Sequence, residues 1–241
     1  MSGSEGEPVS AAESKPAEIA GWSGLPFIAP LATFLAVTSV EKDLSGLLTQ
    51  PGAYVFKLLA TAVALFWYRR AWPRWDARGV WWAVLLGVVG VVLWVLLDGL
   101  QRQLLVALNV SDWLPARPGW KFDLAQLSAS EALRLAIRFT GLVLVVPLAE
   151  ELCWRGFLSP WLISEDFRSV PAGRMTVSSF LIVMGVFTAL HPELLAAAVW
   201  VSGVNELWRR TGNLWACVVA HATTNLLLGL YIVTSGSWHL W

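Results

Sequence analysis

The chain has 241 residues, 56% hydrophobic and only 14% charged, with 17 Lys and Arg against 17 Asp and Glu. A soluble domain is usually about 25% charged, so the deficit argues against a soluble enzyme, and zero net charge without a basic face argues against a nucleic-acid module. Sixteen Trp suit the headgroup boundary of a bilayer, whereas two cysteines, Cys153 and Cys217, build neither a disulfide framework nor a thiolate zinc site. Residues 1–22 are small, polar and acidic, with no basic segment leading into an apolar one. They predict a solvated, disordered tail and not a signal peptide. From there to residue 241 the composition is that of a single transmembrane domain.

A span needs about 20 apolar residues, because ~30 Å of hydrocarbon is crossed at ~1.5 Å per residue. Apolar runs cover residues 25–40, 54–68, 80–97, 140–158, 176–190, 194–207 and 216–233. The short ones require tilting or shielding by neighbours. Between residues 98 and 139, Pro115, Pro118 and Gly119 interrupt the chain, and Glu131, Arg134 and Arg138 then recur three to four apart beside Leu133, Leu135 and Ile137. That pattern predicts a loop and then an amphipathic helix, which either extends the fourth span or lies on the surface as an eighth helix. The predicted fold class is therefore all-α, a polytopic transmembrane bundle of about seven to eight helices.

With seven spans, three loops fall on one side: those carrying Arg69, Arg70, Arg74 and Arg78, then Arg168 and Arg174, then Arg209 and Arg210. The positive-inside rule makes that side cytoplasmic. The protein is accordingly expected in the cytoplasmic membrane with its N-terminus inside.

Polar groups in hydrocarbon are costly, so each needs a partner or a function. Three clusters stand out, all within residues 140–233: Glu150, Glu151 and Arg155 near the end of the fourth span; Phe187 and His191 at the end of the fifth; and His221 and Asn225 inside the last. Glu151 and Arg155 are i and i+4 and can pair, while Glu150 points about 100° away and is free to face a cavity. His221 and Asn225, like Phe187 and His191, also share a helix face. Asn205 and Glu206, and likewise Asp98, read as span-boundary residues, with Glu206 a weak site candidate. His239 reads as an interfacial anchor, and Gly87, Gly90 and Gly99 as points of close helix approach.

Two histidines, an exposed carboxylate and an amide suffice for hydrolysis. A carboxylate in a low-dielectric cavity can take a proton from water, a histidine can share it, and an amide N–H can hold the developing oxyanion. Alternatively, Glu150, His191 and His221 could hold a divalent metal such as Zn²⁺ with an open fourth position. A different class of function is also open: a transporter or proton relay using the same Glu and His residues.

The stretch EELCWRGFL resembles the E-E-x-x-x-R motif of the CPBP intramembrane proteases, the group that contains the CAAX prenyl endopeptidase and many bacterial Abi proteins. FTALH is similar to that family's F-x-x-x-H and HATTN to its H-x-x-x-[ND], in the family's order. His191-Pro192-Glu193 and the overall length resemble a bacterial branch, CAAX prenyl protease-related, that accompanies exosortase systems. The resemblance implies an endopeptidase in which Glu150 and His191 activate water and His221 with Asn225 forms the oxyanion site. Glu151, Arg155 and Phe187 would support them. It further implies a peptide or protein substrate, lipidated in the family's case, and a glutamate-dependent mechanism needing no cofactor, with Zn²⁺ as the alternative. The remaining reading is a catalytically silent immunity or scaffold protein.

Overall fold

In a computed structural model that describes residues 24–110 and 121–241, the apolar runs become seven helices, and no strand occurs among the described residues. They are α1 (Leu25–Ser39), α2 (Glu41–Tyr68), α3 (Val80–Ala107), α4 (Ala129–Trp161), α5 (Val177–Ala189), α6 (Leu194–Thr211) and α7 (Leu214–Ser235). The expected N-terminal tail and the breakers Pro115, Pro118 and Gly119 lie outside the described residues. By length and apolarity four helices can cross a membrane: α2 with the turn that follows it, α3, α4 and α7. The shorter apolar α1 and α5 and the more polar α6 pack among them. Fewer helices are therefore long enough to span than the seven apolar runs suggest.

The amphipathic segment is not a separate surface helix; it is the first third of α4. A capping box starts it: Ser128 Oγ accepts from the Glu131 N–H (3.3 Å) and the Ser128 N–H donates to Glu131 Oε2 (2.9 Å). At ~1.5 Å per residue the 33 residues of α4 are about 50 Å long, more than the bilayer core, so the polar first turns extend beyond the apolar portion.

Two prolines set the inner form of α4. π-helical segments run over Gly141–Val145 and Trp154–Leu158, each followed by one residue and then by Pro147 or Pro160. Proline has no N–H to donate and its ring crowds the preceding turn. The ladder slips accordingly, the Val146 N–H reaching Gly141 O and the Ser159 N–H reaching Trp154 O. The motif carrying Glu150 and Glu151 thus sits on an eight-residue α segment, Val146–Cys153, between two widened turns. In α2, Thr49 adopts φ 65° and ψ 160°, breaking the helix two residues before Pro51 and just ahead of the apolar run read from the sequence. Lys57 and Glu41 pair across that break at 2.5 Å.

α7 lies at the centre, against α3, α4 and α6. Its close approach to α3 depends on two glycines. A Cβ on Gly87 would come within 2.6 Å of the Thr223 side chain, and one on Gly90 within 3.2 Å of Thr224 Oγ1 and 2.9 Å of the Trp200 ring on α6. Gly99 has nothing within 4 Å and is not a contact point. The three basic loops do meet at one end. Asn213, the N-cap of α7, donates from Nδ2 to the carbonyls of Asp76 and Arg78 (2.9 and 2.6 Å), and Gly173 packs on the Trp208 carbonyl and Gly212.

Candidate functional site

Glu150, His191, His221 and Asn225, carried by α4, the end of α5 and α7, line one cavity of about 150 Å³. That is room for about five waters at ~30 Å³ each. Trp94, Phe187 and Trp200 make its apolar wall, and Arg138, Glu193 and Trp241 also border it. The Trp154 indole N–H approaches Glu150 Oε2 at 3.4 Å, a weak contact. Glu150 is half-buried, whereas Glu151 is fully buried, as the 100° offset between neighbours requires.

Glu151 holds more than the arginine expected from spacing. Its Oε2 accepts from Arg155 Nη1 at 2.8 Å, and its Oε1 takes the Nδ1–H of His221 at 2.9 Å. The carboxylate therefore bridges α4 to α7. Arg155, 1% exposed, is completed by Asn205, whose Oδ1 accepts from Nη2 at 2.9 Å. A buried ion pair is tolerable only when its remaining polar groups are satisfied, and Asn205 supplies part of that. Asn205 is fully buried on α6; the expected boundary position is overturned, because α6 continues to Thr211 and turns this face inward.

The second histidine is set by its own helix. His191 Nδ1 donates to the Phe187 carbonyl at 2.8 Å, leaving Nε2 as its acceptor nitrogen. The Phe187 ring stacks on the imidazole (4.3 Å between centroids, 20° between planes) and on Trp200 (5.3 Å, 27°). Trp200 in turn meets the His221 ring at 4.7 Å. One buried phenyl ring and one indole thus connect both histidines. The turn after His191 is braced from α3: Gln101 Nε2 donates to Pro192 O (2.8 Å) and its Oε1 accepts from the Leu195 N–H (3.0 Å).

Asn225 donates from Nδ2 to the Leu142 carbonyl at 2.9 Å. That carbonyl has lost its helical donors: the Val146 N–H has gone to Gly141 and Pro147 has none. The amide still has a second N–H, and both Asn225 and His221 line the cavity. The two residues are neighbours, as i and i+4 spacing implies, but each also has a partner on α4 that spacing could not show.

Several expectations are corrected. Glu206 pairs with Arg209 (2.7 Å) and Arg210 (2.5 Å) at the exposed end of α6, away from the cavity. Asp98 is no boundary residue, since α3 runs on to Ala107; it is 3% exposed and pairs with Arg102 and with His239 Nε2, each at 3.0 Å. His239 is therefore tied to α3 by that bond. Among the described residues, no three His, Cys, Asp or Glu side chains gather closely enough to hold a metal ion. Glu150, His191 and His221 line the cavity without forming such a set.

Sequence reasoning missed Trp94, Trp200 and Arg138 around this cavity, and Gln101, which braces the turn after His191. Gln101 carried a usable signal, a carboxamide three residues from Asp98 on one helix. The tryptophans did not stand out among sixteen.

Residues 132–227 match the family model of the type II CAAX prenyl endopeptidase Rce1-like proteins. The matched stretch begins in the amphipathic part of α4, ends within α7 and contains all the motif residues above. This part of the chain is thus similar to the CAAX-type intramembrane proteases. No curated protein and no solved structure matches the chain.

Proposed function

We propose that the protein is a glutamate-dependent intramembrane endopeptidase that cleaves near the C-terminus of a membrane-associated or lipidated polypeptide. The observation that carries this reading is the convergence of Glu150, His191, His221 and Asn225 on one cavity of about 150 Å³ while buried Glu151 orients His221.

Water is held between Glu150 and the Nε2 lone pair of His191. Glu150 takes its proton as the oxygen attacks the scissile carbonyl. The oxyanion is met by the second Asn225 N–H and by His221 Nε2–H. With Nδ1–H committed to Glu151, Nε2 carries a proton only when His221 is an imidazolium. Glu151 accepts hydrogen bonds from both that ring and Arg155. Glu150 then returns its proton to the leaving amine as the C–N bond breaks. The aromatic wall keeps bulk water out and strengthens each of these interactions.

Residues 23–241 act as one transmembrane domain, with the basic loops and the N-terminus on the cytoplasmic side. Partners are the peptide substrate and the bilayer; nucleic acid has no role, and neither a metal nor another cofactor is required.

Purified protein in lipid, offered C-terminally lipidated and unlipidated peptides, provides the test. Glu150→Ala is expected to lower the rate about 10²–10⁴-fold and Asn225→Ala about 10²–10³-fold, with activity insensitive to strong chelators. Cleavage that survives Glu150→Ala or His221→Ala refutes the roles; loss on chelation, restored by Zn²⁺, refutes the metal-free mechanism.

A further inference from the structure

The cavity that holds Glu150 and Asn225, at about 150 Å³, is well below the ~300–1,000 Å³ of pockets that enclose drug-sized ligands. A polypeptide stretched past those residues needs ~3.3 Å of length for each residue, so part of the wall has to move. Most of that wall is helix. Trp94, Glu150, Phe187, Trp200 and Asn225 project from α3, α4, α5, α6 and α7 in turn, while His191 and Glu193 sit on the turn that Gln101 braces. Among the described lining residues, Leu240 and Trp241 alone lie outside the seven helices and that turn.

Those two residues belong to a short strap. α7 ends at Ser235, Gly236 follows as its C-cap with φ 71°, and a single 3₁₀ turn, Trp238–Leu240, brings the chain back to the cavity. Leu240 and Trp241 are 6% and 7% exposed, so they are seated in the wall and do not merely lie over it. The Trp241 ring packs on Phe139 of α4 at 5.9 Å and on Trp238 at 5.8 Å, with the Arg138 guanidinium 5.4 Å from its centre. A latch ties the strap to α3: His239 Nε2 lies 3.0 Å from Asp98 Oδ2. On the α7 side the fit is incomplete, since a void of about 30 Å³ is bordered by Asn225, Leu228, Ile232 and both strap residues. The hinge is open as well: a Cβ on Gly236 would meet nothing nearer than 3.9 Å. Residues at element ends are where hinged segments absorb their backbone rotation.

We propose that Gly236–Trp241 is a self-occluding strap. Leu240 and Trp241 sit where the polypeptide flanking the scissile bond has to lie, and substrate binding swings them aside about Gly236. Their release uncovers a groove beside Asn225, walled by Phe139, Leu142 and Leu228, that suits a large apolar side chain next to the cleaved bond. Displacement by a peptide rests on the protease reading; the seating and latching of the strap do not.

The test therefore reads the strap by thiol labelling and not by cleavage. Full-length protein in lipid carries Leu240→Cys as a reporter and is treated with a small water-soluble thiol reagent; mass spectrometry locates the label, and native Cys153 and Cys217 give the background. The reporter is expected to react roughly tenfold more slowly than a thiol introduced by Ser235→Cys at the exposed end of α7. Adding His239→Ala is expected to speed it roughly tenfold, the factor that corresponds to one charge-assisted hydrogen bond, without changing the rate in the Ser235→Cys protein. In protein that also carries Glu150→Ala to suppress cleavage, a C-terminally lipidated peptide is expected to speed the reporter in the same way. Should Leu240→Cys fail to fold, Trp241→Cys takes its place. The strap is overturned if the reporter reacts as fast as the exposed thiol, or if His239→Ala leaves its rate unchanged. Where the peptide has no effect, its cleavage by the parent decides: a peptide that is cleaved yet does not speed labelling overturns displacement by substrate. A peptide that is not cleaved counts against the protease reading, and the strap then stands or falls on the His239→Ala result.

Discussion

Replacing Glu151 by Gln keeps the shape of the side chain and removes its charge. Arg155, with 0% of its side chain exposed, then becomes a buried cation whose 2.8 Å ion pair is gone; Asn205 and the new amide oxygen offer only neutral acceptors. Breaking one side of a buried pair typically costs about 3–5 kcal/mol, because the remaining charge is uncompensated. For a chain of this size, ~2–4 °C per kcal/mol makes that a fall of about 6–20 °C in the unfolding midpoint. Removing both partners, as Glu151→Gln/Arg155→Met, removes the uncompensated guanidinium and should recover most of the loss, although Asn205 keeps an unpaired oxygen. Cleavage should not recover, since the carboxylate that holds the His221 Nδ1–H at 2.9 Å is still missing. A double-mutant cycle of midpoints, with peptide cleavage measured on all four proteins, separates the two effects. If the double variant is destabilised by the sum of the single changes, the pair is not an isolated buried ion pair and the reasoning fails. Recovery of cleavage along with stability would show that Glu151 acts only in packing.

Other perturbations follow from the same contacts. Asn225→Ala leaves the Leu142 carbonyl unpaired and should cost about 1–3 kcal/mol; adding Pro147→Ala restores a backbone N–H nearby, so thermal unfolding should show partial rescue of stability without rescue of cleavage. Phe187→Leu keeps bulk but removes the stacking on His191 and Trp200, and should lose ~1 kcal/mol of ring–ring interaction and lower kcat more than it raises KM. On α3, Gly87→Val must displace Thr223 and should destabilise by about 1–3 kcal/mol, whereas Gly99→Ala, with open space around it, should be stabilising by up to ~1 kcal/mol through helix propensity. Equal effects at the two glycines would contradict the assigned α3–α7 contact.

Contacts within one helix are legible in the residue order alone. The Glu151–Arg155 pair and the Phe187–His191 stack follow from a 3.6-residue period, which makes i and i+4 neighbours whatever the rest of the chain does. The all-helical membrane class follows likewise from composition, because hydrocarbon satisfies no backbone polar group and only closed hydrogen-bonding patterns persist there. Reading one residue of Glu150-Glu151 as buried and the other as facing a cavity needs only the angle between successive side chains.

What each of those groups does next depends on how the helices pack. His221 reaches Glu151 across 70 positions, Arg155 reaches Asn205 across 50, and Asn225 reaches Leu142 across 83. Such contacts depend on the rotation and depth of one helix relative to another, and an apolar pattern constrains neither closely in lipid, where every apolar face is equally welcome. The two π-helical segments add to this: each shifts the phase of everything after it, and their cause, a proline six residues beyond the first π residue, is visible in the sequence while its resolution by an asparagine on α7 is not. Asp98 and Asn205 depart from expectation for the same reason, since a polar residue late in an apolar run looks alike at a boundary and in a buried hydrogen bond. Residue order is thus enough to say which groups could do chemistry and which helix face each occupies. That they share one cavity follows from the packing of α7 against α3 and α4, which side-chain fit and long-range hydrogen bonds set and hydrophobicity alone does not.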